Sequence, residues 1–214
     1  MSRCARRPSR SRPRRPRNSS GVDGPNDSRV LLIGARRHAD ARGWFSETFV
    51  APRLKALGIA CDFPQDNMSL SREAGTIRGL HFQRPPSAQA KLISCLRGRI
   101  FDVVVDVRTG SPSYGRSLTV ELTDGGEQLF VPVGFAHGFM TLTDDAIVAY
   151  KVSGLYDPSA EGGLVWNDPA LAIDWPTPAR GPTLSDRDAA LPRLSELDIP
   201  FEYEGGGPLT LERA

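Results

Sequence analysis

The 214-residue sequence is poor in the features that mark several large protein classes. It has three cysteines, Cys4, Cys61 and Cys95, an odd number with no Cys-x-x-Cys spacing, which argues against both a disulfide framework and a zinc site. No stretch approaches the ~18 consecutive apolar residues of a membrane-spanning helix. The N-terminus lacks the apolar segment of a secretory signal, and no internal repeat is visible. These absences point to a cytoplasmic protein with no membrane partner.

Acidic residues are missing from one region only. Residues 1–17 hold eight arginines and no Asp or Glu, so the net charge of +2 averages two unlike parts. The remainder has 19 Lys and Arg against 25 Asp and Glu, a formal −6, with no charge footprint for nucleic acid. Residues 1–26, rich in Arg, Pro and Ser, read as an unstructured tail. Residues 27–198 read as one folded domain and 199–214 as a C-terminal extension.

What the folded part has is short β-rich runs. Val30–Ile33 and Trp44–Val50 read as strands around a turn at Asp40–Gly43, and Pro52–Leu57 as one helical turn ended by Gly58. Between Gln65 and Tyr156 come Lys91–Leu96, Ile100–Val107, Leu118–Leu122, Gln128–Val131, Gly138–Leu142 and Ala146–Val152, separated by Gly, Pro, Asp and Ser. A spacing of about ten residues without intervening amphipathic helices predicts an antiparallel sandwich or barrel. IFDVVVDV at 100–107 is apolar except at Asp102 and Asp106 and reads as a central strand. A short helix is expected around Ser185–Leu194.

Histidine is also scarce. His38 reads as a surface residue in a polar loop. His81, in TIRGLHFQ at 76–83, and His137, in PVGFAHGF at 132–139, lie in Gly-punctuated apolar segments of similar character. Either histidine alone fits a packed core; the pair favours one site lined by both. A neutral imidazole is suited to accept a proton near pH 7, and Arg78 and Lys91 lie near His81 in sequence. A base beside fixed positive charge suits proton abstraction next to a carbonyl. A metal is not expected, because positions 79 and 83, flanking His81, are Gly and Gln rather than further ligands. Tyr150, closing the run Ala146–Ala149, fits either rim packing or a general acid. LSDRD at 184–188 reads by itself as a capped turn with Ser185 as N-cap.

With these residues in hand, the chain resembles the dTDP-4-dehydrorhamnose 3,5-epimerases and related deoxysugar enzymes. The resemblance rests on DARGWFSETF at 40–49, FPQDNMS at 63–69, TIRGLHFQ, AKLISCLRGRIFDVVVDVRTGSPSYG at 90–115, VPVGFAHGFMTL at 131–142, AYKVSGLYDPSAEGGLVWNDP at 149–169 and LSDRD. It implies an all-β, cupin-type jelly roll, a homodimer, no metal and no cofactor, and a dTDP-linked 4-keto-6-deoxyhexose as substrate. By the same resemblance His81 is the base, Asp188 its orienting carboxylate, Tyr150 the proton donor and Lys91 the cation that stabilises the enolate oxygen. Arg42, Glu47, Gln65, Asp66, Asn67, Arg78, His137, Glu161 and Arg187 fall at substrate-binding positions, and Tyr156 at the aromatic that stacks on thymine. The resemblance implies epimerisation at C3 and C5. Epimerisation of one carbon only, and nucleotide-sugar binding without catalysis, are the alternatives it leaves open. The segment RPPSAQAK at 84–91 departs from the family pattern, Pro85–Pro86 stiffening a loop beside the site.

Overall fold

The computed structural model describes residues 29–214, so the predicted tail at 1–26 lies outside the described residues. Two sheets face each other, antiparallel throughout except for one parallel pair at an edge. The first contains β1 (Arg29–Ile33), β4 (Gln65–Ser71), β6 (Lys91–Arg97), β9 (Gln128–Val131), β11 (Ala146–Val152) and β13 (Thr210–Arg213), in the order β13-β1-β9-β6-β11-β4. The second contains β5 (Ile77–Gln83), β7 (Arg99–Asp106), β8 (Ser117–Thr123), β10 (Phe135–Thr141) and β12 (Glu161–Gly163), in the order β12-β5-β10-β7-β8. A separate hairpin joins β2 (Arg37–Asp40) to β3 (Gly43–Ser46). The strand spacing predicts a sandwich or barrel, and the two facing sheets make the jelly-roll sandwich that the family resemblance implies.

The two sheets meet over a core that includes Val30, Ile93, Ile100, Val104, Leu122, Leu129, Phe139 and Val148. Every one of these residues is almost completely removed from water. The aliphatic and β-branched side chains among them suit a pleated face that packs against another sheet. IFDVVVDV forms the interior strand β7, paired on both sides, with Asp102 and Asp106 fully buried. Asp106 is satisfied locally: it accepts bonds from Arg108 Nη2 at 2.6 Å, Ser111 Oγ at 2.6 Å and Ser113 Oγ at 2.7 Å.

Several local expectations shift. The strand expected over Trp44–Val50 stops at Ser46; residues 47–50 run outside any strand to Val50, the N-cap of α1 (Ala51–Ala56), whose first turn holds Pro52. His38 sits on the exposed strand β2 opposite Phe45, not in a loop. The strand expected from Gly138 begins at Phe135, so His137 lies inside it. The helix near Ser185 is one short turn, α2 (Asp186–Ala189), with Ser185 Oγ accepting from the Asp188 amide at 3.1 Å. Residues 199–214 do join the sandwich. Phe201 is buried against Phe82 in edge-on contact, and β13 pairs in parallel with β1.

Candidate active site

A cleft of about 460 Å³ opens between the two sheets, a size suited to a small-molecule ligand. Strands β5 and β10 supply one wall. They are antiparallel neighbours, and His137 stands directly opposite His81. Two glycines allow that close crossing. Gly79 has φ +128°, and a Cβ there would lie 2.5 Å from Gly138 Cα; a Cβ on Gly138 would lie 2.6 Å from the Arg78 carbonyl oxygen. Strands β4, β6 and β11 supply the facing wall. Their period-two alternation turns Gln65, Asn67 and Ser69, Lys91, and Tyr150 toward the cleft.

His81 and Asp188, 107 residues apart in sequence, meet at 2.9 Å through His81 Nε2 and Asp188 Oδ1. The second carboxylate oxygen, Oδ2, accepts the Gly79 N–H at 3.2 Å. Burial alone would raise the Asp188 carboxyl. The bond from His81, that histidine's charge, and the Gly79 and Ser185 contacts outweigh burial and hold it below the ordinary range. An ionised acceptor on Nε2 keeps the proton of the neutral ring at that nitrogen and leaves Nδ1 with the lone pair. The side chain of His81 is 30% exposed, so a ligand can reach it.

His137 forms a second pair. Its Nε2 lies 2.9 and 3.0 Å from the two carboxylate oxygens of Asp102. Burial pushes His137 below its usual value and Asp102 above its own, with the mutual attraction opposing both shifts. Lys91 reaches across from β6, donating from Nζ to the His81 carbonyl at 3.0 Å. Burial lowers its ammonium to about 8, against the pull of Asp102 and Glu161. Tyr150 stands between Asn67 and Ile93 on the opposite sheet from His81. Burial raises its phenol, only partly offset by Arg78, so it is protonated at neutral pH.

At the mouth, Tyr156 is half exposed and donates its hydroxyl to Glu161, which also pairs with Arg187. Arg78 is held by Ser71 Oγ and the Leu70 carbonyl, both at 3.1 Å. Thus His81, Lys91, Tyr150, Asp188, Gln65, Asn67, Arg78, His137, Tyr156, Glu161 and Arg187 share one cleft. Arg42, Glu47 and Asp66 do not line it. Arg42 is 90% exposed on the hairpin and pairs with Asp40 at 2.6 Å, and Glu47 follows it on the surface. Asp66 alternates to the outer face of β4, where it binds Lys151 at 2.8 Å.

Sequence reasoning did not assign Asp102, Ser69, Gln83, Gln89 or Phe139 to the site, yet Asp102 partners His137 and the others line the cleft. Asp102 had a visible signal as a carboxylate inside an apolar run; Ser69, Gln83 and Phe139 lay inside the motifs that carried the resemblance, while Gln89 had no such signal. Among the described residues, no three His, Cys, Asp or Glu side chains gather as a metal would require.

Comparison with known proteins gives one consistent answer. The family model described as dTDP-4-dehydrorhamnose 3,5-epimerase matches residues 28–196. The chain is 48% identical over 175 residues to the dTDP-4-dehydrorhamnose 3,5-epimerase of Sinorhizobium fredii, covering 81% of this chain and 89% of that one. The crystal structure of dTDP-6-deoxy-D-glucose-3,5-epimerase from Legionella pneumophila, solved with dTDP-4-keto-L-rhamnose, superposes with a TM-score of 0.77 at 39% identity, covering 82% of this chain and all of that one. A 3'-monoepimerase from Streptomyces bikiniensis, in complex with dTDP-quinovose, gives 0.70 at 38% identity over 78% of this chain and 83% of its own. A jelly roll with a histidine–aspartate pair facing a tyrosine across one cleft, matched along nearly all its described length, belongs to the dTDP-4-dehydrorhamnose 3,5-epimerase family.

Proposed function

We propose that the protein epimerises C3 and C5 of dTDP-4-dehydro-6-deoxy-D-glucose, producing dTDP-4-dehydro-L-rhamnose for deoxysugar biosynthesis. The observation that carries this reading is the His81–Asp188 pair on one wall with Tyr150 on the other. The C4 ketone acidifies the hydrogens on C3 and C5, because the carbanion delocalises onto oxygen. His81 Nδ1 takes the proton while Asp188 stabilises the imidazolium. The Lys91 ammonium balances the enolate charge, and Tyr150 returns a proton to the opposite face, inverting the carbon. Arg78 and Arg187 offer guanidinium forks to the diphosphate, and Tyr156 offers a face to the thymine. Turnover in deuterated water tests the reading directly: the product acquires deuterium at both C3 and C5. Label at C3 alone would favour the 3'-monoepimerase reading, which the likeness to the Streptomyces bikiniensis enzyme supports. No label and no turnover would leave a binding protein.

The Lys91 role has a pH signature. An ammonium that loses its proton near pH 8 stabilises the enolate below that pH and not above it. The kcat/KM profile is therefore expected to fall as pH rises through about 8. Lys91→Met should start far lower and lose that alkaline limb. A limb that persists in the variant would assign it to another group.

The assembly is proposed to be a homodimer. Trp44, Phe45, Met68 and Leu70 are large apolar side chains left 44–72% exposed on the hairpin and on β4, an edge strand of its sheet. A second copy covering them would account for that exposure. It would also give Arg42 and Glu47, remote from their own cleft, a route to the partner's. Mixing Arg42→Ala with His81→Asn protein, with subunit exchange, should then restore activity that neither variant has alone. No recovery in mixed dimers, or a monomer in sedimentation, would overturn this arrangement.

A further inference from the structure

Gln83 closes the TIRGLHFQ segment, yet the chemistry above gives it no task. It is 4% exposed, and its amide makes three bonds. Nε2 donates to the Ser87 carbonyl at 2.8 Å and to the Leu155 carbonyl at 3.3 Å, and Oε1 accepts the Asp157 N–H at 2.8 Å. Leu155 and Asp157 are the residues on either side of Tyr156. A second amide completes the grip, because Gln65 Oε1 accepts the Tyr156 N–H at 2.9 Å while Gln65 Nε2 is held by Asn67 Oδ1 at 2.8 Å. Ser87 Oγ adds a bond to Asp157 at 3.0 Å, which ties the Pro85–Pro86 turn to the same loop. The backbone around Tyr156 is thus bonded on three consecutive residues to two glutamines, while its ring stays half exposed at the mouth of the cleft.

An exposed ring on a loop ordinarily loses freedom when a flat ligand stacks on it, and that ordering weakens binding. Fixing the backbone beforehand removes the loss. We infer that Gln83 is a positioning residue that preorganises Tyr156 as a stacking platform for the planar base of the nucleotide, and that the 84–87 turn is part of the same clamp. This rests on the reading of Tyr156 as the stacking aromatic and extends it to a residue whose amide is spent on the backbone of the flanking loops.

The test is a double-mutant cycle read by dTDP binding and steady-state kinetics. Tyr156→Ala alone should weaken dTDP by about tenfold or more, stacking being worth that much; an unchanged affinity would sink the stacking assignment itself. Gln83→Met, which keeps length but removes all three bonds, should raise the dTDP Kd about tenfold and KM with it, with kcat within about twofold. In the Tyr156→Ala background the same change should cost almost nothing, since there is no ring left to position. Losses that multiply in the double variant, or a Gln83→Met enzyme that loses kcat at unchanged Kd, would overturn the proposal. Should Gln83→Met not fold, Gln83→Glu preserves the acceptor for Asp157 and removes only the donors. The same cycle applies to it, with a smaller coupled loss expected and multiplying losses again decisive against the clamp.

Discussion

Replacing His81 by Asn is expected to lower kcat/KM by roughly 10³–10⁴, toward the upper end of what a positioned base contributes. At about 1.4 kcal/mol per decade, that is about 4–5.5 kcal/mol of transition-state stabilisation. The amide has no lone pair of sufficient basicity, so hydrogen exchange from the substrate into solvent should vanish together with product. Asp188→Asn should fall in the same direction by roughly 10²–10⁴, because an amide can present N–H to Nε2 and so favour the wrong tautomer. In both variants the binding of dTDP should change little. Substrate C–H exchange in deuterated water checks the assignment, and exchange surviving in His81→Asn would hand the base role to another group of the cleft, such as His137 on the neighbouring strand. The paired loss is informative because the two side chains share one 2.9 Å contact. Their effects should be far from additive, and the double variant should be little worse than His81→Asn alone.

Tyr150→Phe is the second large effect, and it should split the two half-reactions. The phenylalanine ring keeps the packing of Tyr150 against the inter-sheet core, so the cleft keeps its shape. The proton donor is gone from the wall opposite His81. Inverted product is expected to drop by roughly 10²–10³, within the range for general acids, while deuterium exchange with retention continues, since abstraction and return on the same face need only His81. Tyr150 suits the donor role because burial keeps its phenol protonated at neutral pH. Equal losses of exchange and of inversion would show that Tyr150 acts before or during abstraction, not after it.

Much of the frame was legible in the chain. The runs at 100–107, 118–122, 128–131 and 146–152 are strands at nearly the predicted bounds, because a strand buried on its inner face must alternate or run apolar. Ser185 was readable as an N-cap, since a hydroxyl before a helical turn satisfies a free amide. The strand β2 was not legible: RHAD has no apolar periodicity, and its pairing with β3 is a matter of a tight turn. Asp66 shows the limit of reading motifs as blocks. Its neighbours Gln65 and Asn67 enter the cleft, and it cannot, because adjacent residues on a strand face opposite ways.

The sequence by itself determined the all-β architecture and the family, since both rest on local patterning and on the order of short motifs along one chain. It also marked His81 and His137 as unusual. Only the tertiary structure decided what surrounds them. Asp188 arrives at His81 from over a hundred residues downstream, Asp102 supports His137 from a neighbouring strand, and Tyr150 faces them from the other sheet. These contacts are made by strand order and by the Gly79–Gly138 crossing, neither of which any local stretch encodes, because cross-strand neighbours are set by which strands pair and in what register.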